Sequence, residues 1–431
     1  MKHQSRRLIG LLVVLAMAAS LSACVRQQQY RYVNIPGRLP AVESHEDKGY
    51  KVAFIEFKDN GSPYDPQQAI KAEEVIHTER KDSNGRFAPS SVVLIYVHGW
   101  KNNANEATPP NYKDVEKFKK TLEEIALLLP RLPDGRRTPL VGVYIGWRGK
   151  SLDLPDAINW VSFWTRGIAA GHVGGPRMSH TLNRLVQAAN EGRSRPGIHP
   201  KVVIVGHSFG SRVLEQAEKR ESIQKGECKQ LHTKGDPIKP PVDLILFVNA
   251  ATGSLVTREI IDDCKPLEGS DPNRAFVRHP EFEKELCPPE TESAICRPYP
   301  MFVSISSRSD YATKLLLPLA AFRLSAAHTS ALNTHRVIEL KPEDEIPRDA
   351  IFSFHSQYHS GDHRYAVIPK QEGRVPQFWI MTVDKNVISS HGDIWNSDFR
   401  NMLLNLMGQM QVVPMTSYQK LPARAKAREI Q

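Results

Sequence analysis

Apolar residues in this chain gather in short continuous runs separated by stretches with helical spacing. Ser91–Val97 (S-V-V-L-I-Y-V), Leu140–Gly146 and the run beginning at Lys201 are apolar almost throughout, as strands buried on both faces of a sheet should be. Tyr50–Phe57 (Y-K-V-A-F-I-E-F) alternates like an outer strand with one wet face. Further strands are expected at Val242–Asn249, Met301–Ser306 and Gln377–Val383. Between them, Tyr112–Leu129 carries Phe118, Leu122, Ile125 and Leu129 on one helical face. Met178–Asn190, Ser211–Lys219 and a segment from about Ile394 to Met407 also read as helices. Strands alternating with helices imply an α/β fold with a doubly wound, mostly parallel sheet and right-handed crossovers. No internal repeat is evident.

Two stretches are too long to be simple connections. Residues 250–299 hold prolines, charges and cysteines, and residues 325–375 look polar and loop-like; segments of this kind are usually lids or binding loops. The N-terminus reads as an address. Lys2, Arg6 and Arg7 precede an apolar run, Leu8–Ala19, too short to span a bilayer, which is the pattern of a signal peptide. It ends in Leu21-Ser22-Ala23-Cys24, which resembles the bacterial lipobox, and that resemblance implies acylation of Cys24. Val25 follows where lipoproteins retained at the inner membrane carry Asp, so the resemblance implies an envelope protein of the outer membrane. The expected organisation is a signal peptide (1–23), a polar tether punctuated by Pro36 and Pro40 (24–49), one domain (50–410) and a basic tail (411–431).

The 431 residues suffice for one large α/β domain with insertions or for two small domains. The formal net charge of +10 shrinks once the signal is removed, and no basic stripe lies on a recognisable nucleic-acid module. Nucleic acid is therefore not an expected partner; a membrane and a small-molecule or lipid ester are. Of five cysteines, Cys228, Cys264, Cys287 and Cys296 remain after the lipid site, an even number in an oxidising compartment. Three pairings are possible. Cys287 with Cys296 would close a short loop and leave Cys228 with Cys264. The absence of a C-x-x-C pair argues against zinc, and no cofactor is expected. His355, His359 and His363 are four apart, but Gly361 interrupts the helical face that a metal site would need.

The chemistry concentrates at K-V-V-I-V-G-H-S-F-G, Lys201–Gly210. A buried strand runs into a G-x-S-x-G turn at Ser208 and then a helix, the layout of a nucleophile elbow. Such a turn holds the serine at strained backbone angles, and Gly206 and Gly210 leave room for strand and helix to approach. A serine nucleophile needs a base, and the base a group that fixes its tautomer. In this layout they follow in the order Ser, acid, His, each beyond a strand's carboxyl end. The strand ending at Ser306 offers Asp310; the rival Asp243 precedes its strand, and Asp262 and Asp263 fall in the long insertion. After the last strand stands His391, with Asp393 placed to cap the next helix. Backbone N–H groups of Phe209 and Trp100, the latter in V-H-G-W after the Ser91 strand, are the expected oxyanion donors. Trp147, Trp160, Phe163 and Trp164 are candidates to line an acyl pocket, against ordinary core packing.

V-H-G-W-K-N-N-A, G-H-S-F-G, S-S-R-S-D-Y-A and S-H-G-D-I-W-N, in this order and at these strand ends, resemble the α/β-hydrolase superfamily of serine esterases and lipases. The resemblance covers roughly residues 50–410 and implies an α/β-hydrolase fold with lid-like insertions, acting on acyl esters through Ser208, His391 and Asp310. A phospholipase or acyltransferase on the same residues, and a catalytically silent envelope protein using the fold for binding, are the competing expectations.

Overall fold

The computed structural model of the protein describes residues 27–106, 114–149, 161–220, 242–251, 302–310, 334–347, 350, 352–356, 363–370, 378–410 and 412–413. The strands are β1 (Arg31–Tyr32), β2 (Leu39–Pro40), β3 (Val42–His45), β4 (Tyr50–Phe57), β5 (Ser90–Val97), β6 (Leu140–Trp147), β7 (His199–His207), β8 (Leu244–Val248), β9 (Phe302–Ser307), β10 (His335–Leu340), β11 (Phe352–Ser356), β12 (His363–Pro369) and β13 (Phe378–Val383). The helices are α1 (Pro66–Glu79), α2 (Asp114–Leu128), α3 (Val161–Val173), α4 (Pro176–Asn190), α5 (Phe209–Arg220) and α6 (Ser397–Gln409).

Eight strands form one sheet in the order β13-β9-β8-β7-β5-β6-β4-β3, parallel except for the antiparallel edge strand β3. Alternate residues of each strand serve opposite faces. In β5, Val92, Leu94 and Tyr96 join the core under α2 and α6, while Val93, Ile95 and Val97 join the core under α1, α3, α4 and α5. Helices on both faces explain why the strand runs are continuously apolar. Phe118, Leu122 and Ile125 of α2 are fully buried on their shared face, each worth roughly 1.5–3 kcal/mol of transfer free energy. Leu122 packs so close to Gly142 of β6 that an added Cβ there would lie 2.3 Å from its Cδ1.

Three expectations change. Tyr50–Phe57 is not an outer strand: β3 pairs beyond it, and only Lys51 is not buried. Residues 31–45 are not a free tether but supply β1, β2 and β3. What turns this polar stretch into structure is Arg31, whose buried side chain donates from Nε to the Ala104 carbonyl at 2.9 Å, ion-pairs with Glu43 and Glu106 and lies 3.7 Å over the Phe54 ring. Finally, part of 325–375 is an antiparallel sheet, β10-β12-β11, rather than a lid-like loop. Its short strands carry Phe352, Phe354, Tyr365 and Val367 into the core beneath α6, which makes it a flank of the domain. On these strands His355 faces Arg364 in register and His363 faces Ser356, so neither of these two histidines lies on a helix. The His363 ring pairs with Glu339.

Candidate active site

Ser208 sits between β7 and α5 with φ +55°, in the left-handed region that a non-glycine residue rarely adopts. The neighbours leave little alternative. A Cβ on Gly210 would lie 2.0 Å from the Val97 carbonyl oxygen, and one on Gly206 2.7–2.8 Å from Leu214 and Ser211. The Ser208 amide donates to Val248 O at 2.9 Å, and its carbonyl accepts from Ala251 N at 3.1 Å and Ser211 N at 3.1 Å. With both backbone groups bonded, the turn is locked and the side chain alone is free to act.

Ser208 Oγ lies 2.5 Å from His391 Nε2. His391 Nδ1 lies 2.9 Å from each carboxyl oxygen of Asp310, which is fully buried. Asp310 stands just past β9 and His391 beyond β13, each after the carboxyl end of its strand. A carboxylate can only accept; the Nδ1–H therefore points at Asp310 and leaves the Nε2 lone pair for the serine hydroxyl. This arrangement can draw the proton from Oγ while the charge gained by the imidazole is met by Asp310. Asp243, the rival acid, sits at the amino end of β8, accepts from Val202 N at 2.8 Å and ion-pairs with Lys201.

The serine faces a second wall. A Cβ on Gly99 would lie 2.7 Å from Ser208 Cβ and 2.7 Å from the His207 carbonyl, so the loop after β5 presses its bare backbone against the serine. His98 holds that loop. Its Nδ1–H donates to Gly99 O (2.8 Å), its Nε2 accepts from Trp147 N (2.9 Å) and its carbonyl accepts from Trp147 Nε1 (2.9 Å). Burial, opposed by these bonds, lowers the His98 pKa to about 4, so the ring stays neutral in this tautomer. Lys101 N donates to Gly149 O (2.9 Å) and Gly149 N to Asn102 O (3.0 Å), tying the loop to the end of β6. Trp100 rides on this loop. Phe209 opens α5, so its N–H is among those a helix cannot satisfy within itself.

Of the proposed pocket aromatics, Trp147 stacks on His98 (5.6 Å, 3°), which makes it a support for the loop. Phe163 is buried, 4.6 Å from the Phe209 ring and 5.4 Å from that of Trp100. Trp160 and the Trp164 side chain lie outside the described residues, as do Cys24, Cys228, Cys264, Cys287, Cys296, Asp262, Asp263 and His359. Among the described residues no group of three or more His, Cys, Asp or Glu could hold a metal.

Several partners of His391 escaped the sequence reading. His207 Nε2 lies 2.8 Å from the His391 carbonyl, which also accepts from Asn249 Nδ2 at 3.1 Å. Asn249 is itself left-handed (φ +45°), and its Oδ1 accepts from Ser307 N at 2.9 Å. Ser307 Oγ donates to Ile388 O at 2.5 Å. The ends of β7, β8 and β9 thus all grip the loop that carries His391. Because a carbonyl only accepts, His207 carries its proton on Nε2; burial, then the neighbouring His391, depresses its pKa to about 3. The loop continues to Trp395, whose Nε1 donates to the buried Asp114 at 3.1 Å, as do Tyr96 Oη (3.1 Å) and Tyr144 Oη (2.8 Å). The cap of α6 is Asn396, whose Oδ1 accepts from Asp398 N and Phe399 N, and not Asp393, which instead accepts from Ser389 Oγ at 2.6 Å. The helix starts later than expected, at Ser397, with Asn396 as its cap.

No protein-family model matches this chain, and no curated protein matches its sequence. Among solved structures it is similar to phospholipase PlaB from Legionella pneumophila, at 12% identity and a TM-score of 0.27, over 77% of this chain and 62% of that one. The thio-NAD complex of PlaB gives 12% and 0.29, over 77% and 61%. An uncharacterized protein from Pseudomonas aeruginosa gives 9% and 0.28, over 86% and 54%. The match thus spans about three fifths of the PlaB chain.

Proposed function

We propose that this protein is an exported, lipid-anchored serine hydrolase of the α/β-hydrolase type that cleaves carboxylic esters. The observation that carries the reading is the chain of hydrogen bonds from Ser208 Oγ through the His391 ring to Asp310. In the proposed reaction Oγ attacks the ester carbonyl as its proton passes to His391 Nε2. The N–H groups of Phe209 and Trp100 receive the oxyanion. The tetrahedral intermediate collapses, the alcohol leaves with the proton from Nε2, and Ser208 keeps the acyl group. A water then gives its proton to Nε2, attacks the acyl-enzyme, and releases the acid with Oγ reprotonated. Asp310 stays ionised and fixes the ring throughout.

The test is labelling of the purified protein with a fluorophosphonate probe, alongside hydrolysis of p-nitrophenyl esters of graded chain length. Labelling and turnover that vanish in Ser208→Ala are expected. A folded wild type that neither labels nor turns over any ester would instead favour the silent binding protein.

A further inference from the structure

The segment expected to be a long tether is stitched into the domain almost from its start, and the place where it is stitched carries a consequence. Tyr30 N donates to both carboxyl oxygens of Glu56 at 3.1 Å, and Arg31 N donates to Glu56 Oε2 at 2.7 Å. Gln68 Nε2 closes over the Arg31 carbonyl at 2.7 Å. Glu56 is the penultimate residue of β4, and Ala104, which holds the Arg31 guanidinium, belongs to the loop after β5. Both therefore lie at the carboxyl end of the parallel sheet, the end at which Ser208 stands. β4 and β7 are separated by β6 and β5, about 14 Å at the usual strand spacing.

Tyr30 is only six positions beyond Cys24, a reach of about 20 Å at full extension. Acyl chains on Cys24 would thus be leashed to the rim of the site. A domain leashed there cannot turn its opposite end to the membrane, because the turn before β6 and the amino ends of the strands lie a sheet's length away. Ile35, in the turn between β1 and β2 on the same strap, is 50% exposed and offers an apolar contact.

We propose that the carboxyl-end face of the sheet docks on the bilayer that holds the Cys24 acyl chains, and that the substrates of Ser208 are ester lipids of that same leaflet. The second half rests on the hydrolase reading above, and both halves rest on acylation of Cys24.

The experiment uses the full-length protein reconstituted in phosphatidylethanolamine–phosphatidylglycerol vesicles, native and with about twenty Gly/Ser residues inserted between Arg26 and Gln27. Mass spectrometry of the N-terminal peptide first reports the acyl group. The native protein is expected to hydrolyse vesicle lipid at least fivefold faster than the lengthened one, with equal rates on p-nitrophenyl butyrate in detergent. Equal rates on vesicle lipid would overturn the proposed substrate. Docking is read independently of turnover by an environment-sensitive fluorophore at Ile35→Cys or Arg136→Cys, each corrected for labelling of the parent protein. Nitroxide lipids should quench the label at position 35 strongly and that at 136 weakly. Equal or reversed quenching overturns the docked face even if the enzyme is active. Quenching as expected without turnover of the soluble ester retains the docking, while the proposed substrate falls with the hydrolase reading. An unacylated Cys24 overturns the whole proposal.

Discussion

His207 and His391 are joined by one hydrogen bond in which the first ring grips the backbone of the second, Nε2 to carbonyl oxygen, at 2.8 Å. The His391 ring itself is thereby left to its two partners, Ser208 and Asp310. His207 also has to stay uncharged while a proton settles on a ring whose centroid is 5.3 Å away. Its burial ensures this, and among the described residues its Nδ1 has no hydrogen-bond partner to compete for the tautomer.

Replacing His207 by Phe keeps a planar, somewhat larger ring and removes the donor. We expect kcat on a soluble ester to fall about tenfold with KM little changed, the pattern of lost transition-state alignment. His207→Gln, which restores an N–H, should recover part of the loss. A circular-dichroism melt separates misfolding from misplacement, and an unaltered kcat in His207→Phe would remove the residue from the machinery.

Asp310→Asn exchanges an obligate acceptor for a group that can offer Nδ1 an N–H, which favours the wrong tautomer of His391. A loss of about 10³–10⁴ in kcat is expected, as for the same change in a Ser-His-Asp triad. Fluorophosphonate labelling should slow in parallel, since it uses the same base.

Gly99→Ala would place a methyl group 2.7 Å from Ser208 Cβ and from a backbone oxygen that cannot yield cheaply. The loop carrying Trp100 should retreat. We expect a loss of about 1–3 kcal/mol in stability and at least a tenfold loss of kcat, read by denaturant titration and initial rates.

The buried titratable groups oppose one another with pH. Burial, only partly offset by the Arg31 and Tyr30 amides, Gln68 and the Arg31 charge, raises Glu56 to about 7, and burial likewise raises Asp114 to about 6. Each binds its proton more tightly folded than unfolded, so their contribution is full at low pH and fades as pH rises through those values. The histidines act in reverse. His98 and His207 are depressed to about 4 and about 3, so their contribution is present above the unfolded value near 6.5 and is lost as pH falls. Between pH 4.5 and 6 the two slopes offset each other. Glu56→Gln removes one of the opposing slopes. The variant's stability should therefore rise with pH more steeply than that of the wild type, by about 1 kcal/mol per unit across this window. Urea titrations at pH 5 and 6 measure the difference.

The central strands and the elbow were legible because each is specified locally. β7 is apolar on every buried position before His207, and the turn at Ser208 needs glycine wherever a Cβ would strike backbone. Asp310 and His391 were legible one step further, from where strands end. His207, Asn249 and Ser307 were not, because each acts on a segment more than fifty residues away and looks locally like the last residue or two of a strand. A neutral histidine inside G-H-S-F-G was nevertheless a visible signal. The strap at 31–45 was hidden by its two-residue strands and by prolines. It is held by Arg31, and a buried arginine cannot be told from a solvated one until its partners are known. The sheet β10-β12-β11 was obscured because its strands are short and set among polar residues, and the helix that covers Phe352, Phe354, Tyr365 and Val367, α6, comes later in the chain.

His391 and Ser208 stand 183 residues apart, and His391 comes last. A ribosome therefore finishes Ser208 long before it reaches β13 and the loop beyond it. Until that final strand closes the sheet, the hydroxyl is an ordinary alcohol with no imidazole to take its proton. On the proposed reading, in which the chain crosses a membrane before it folds and acts on esters, the esters of the compartment where it is made meet no complete site.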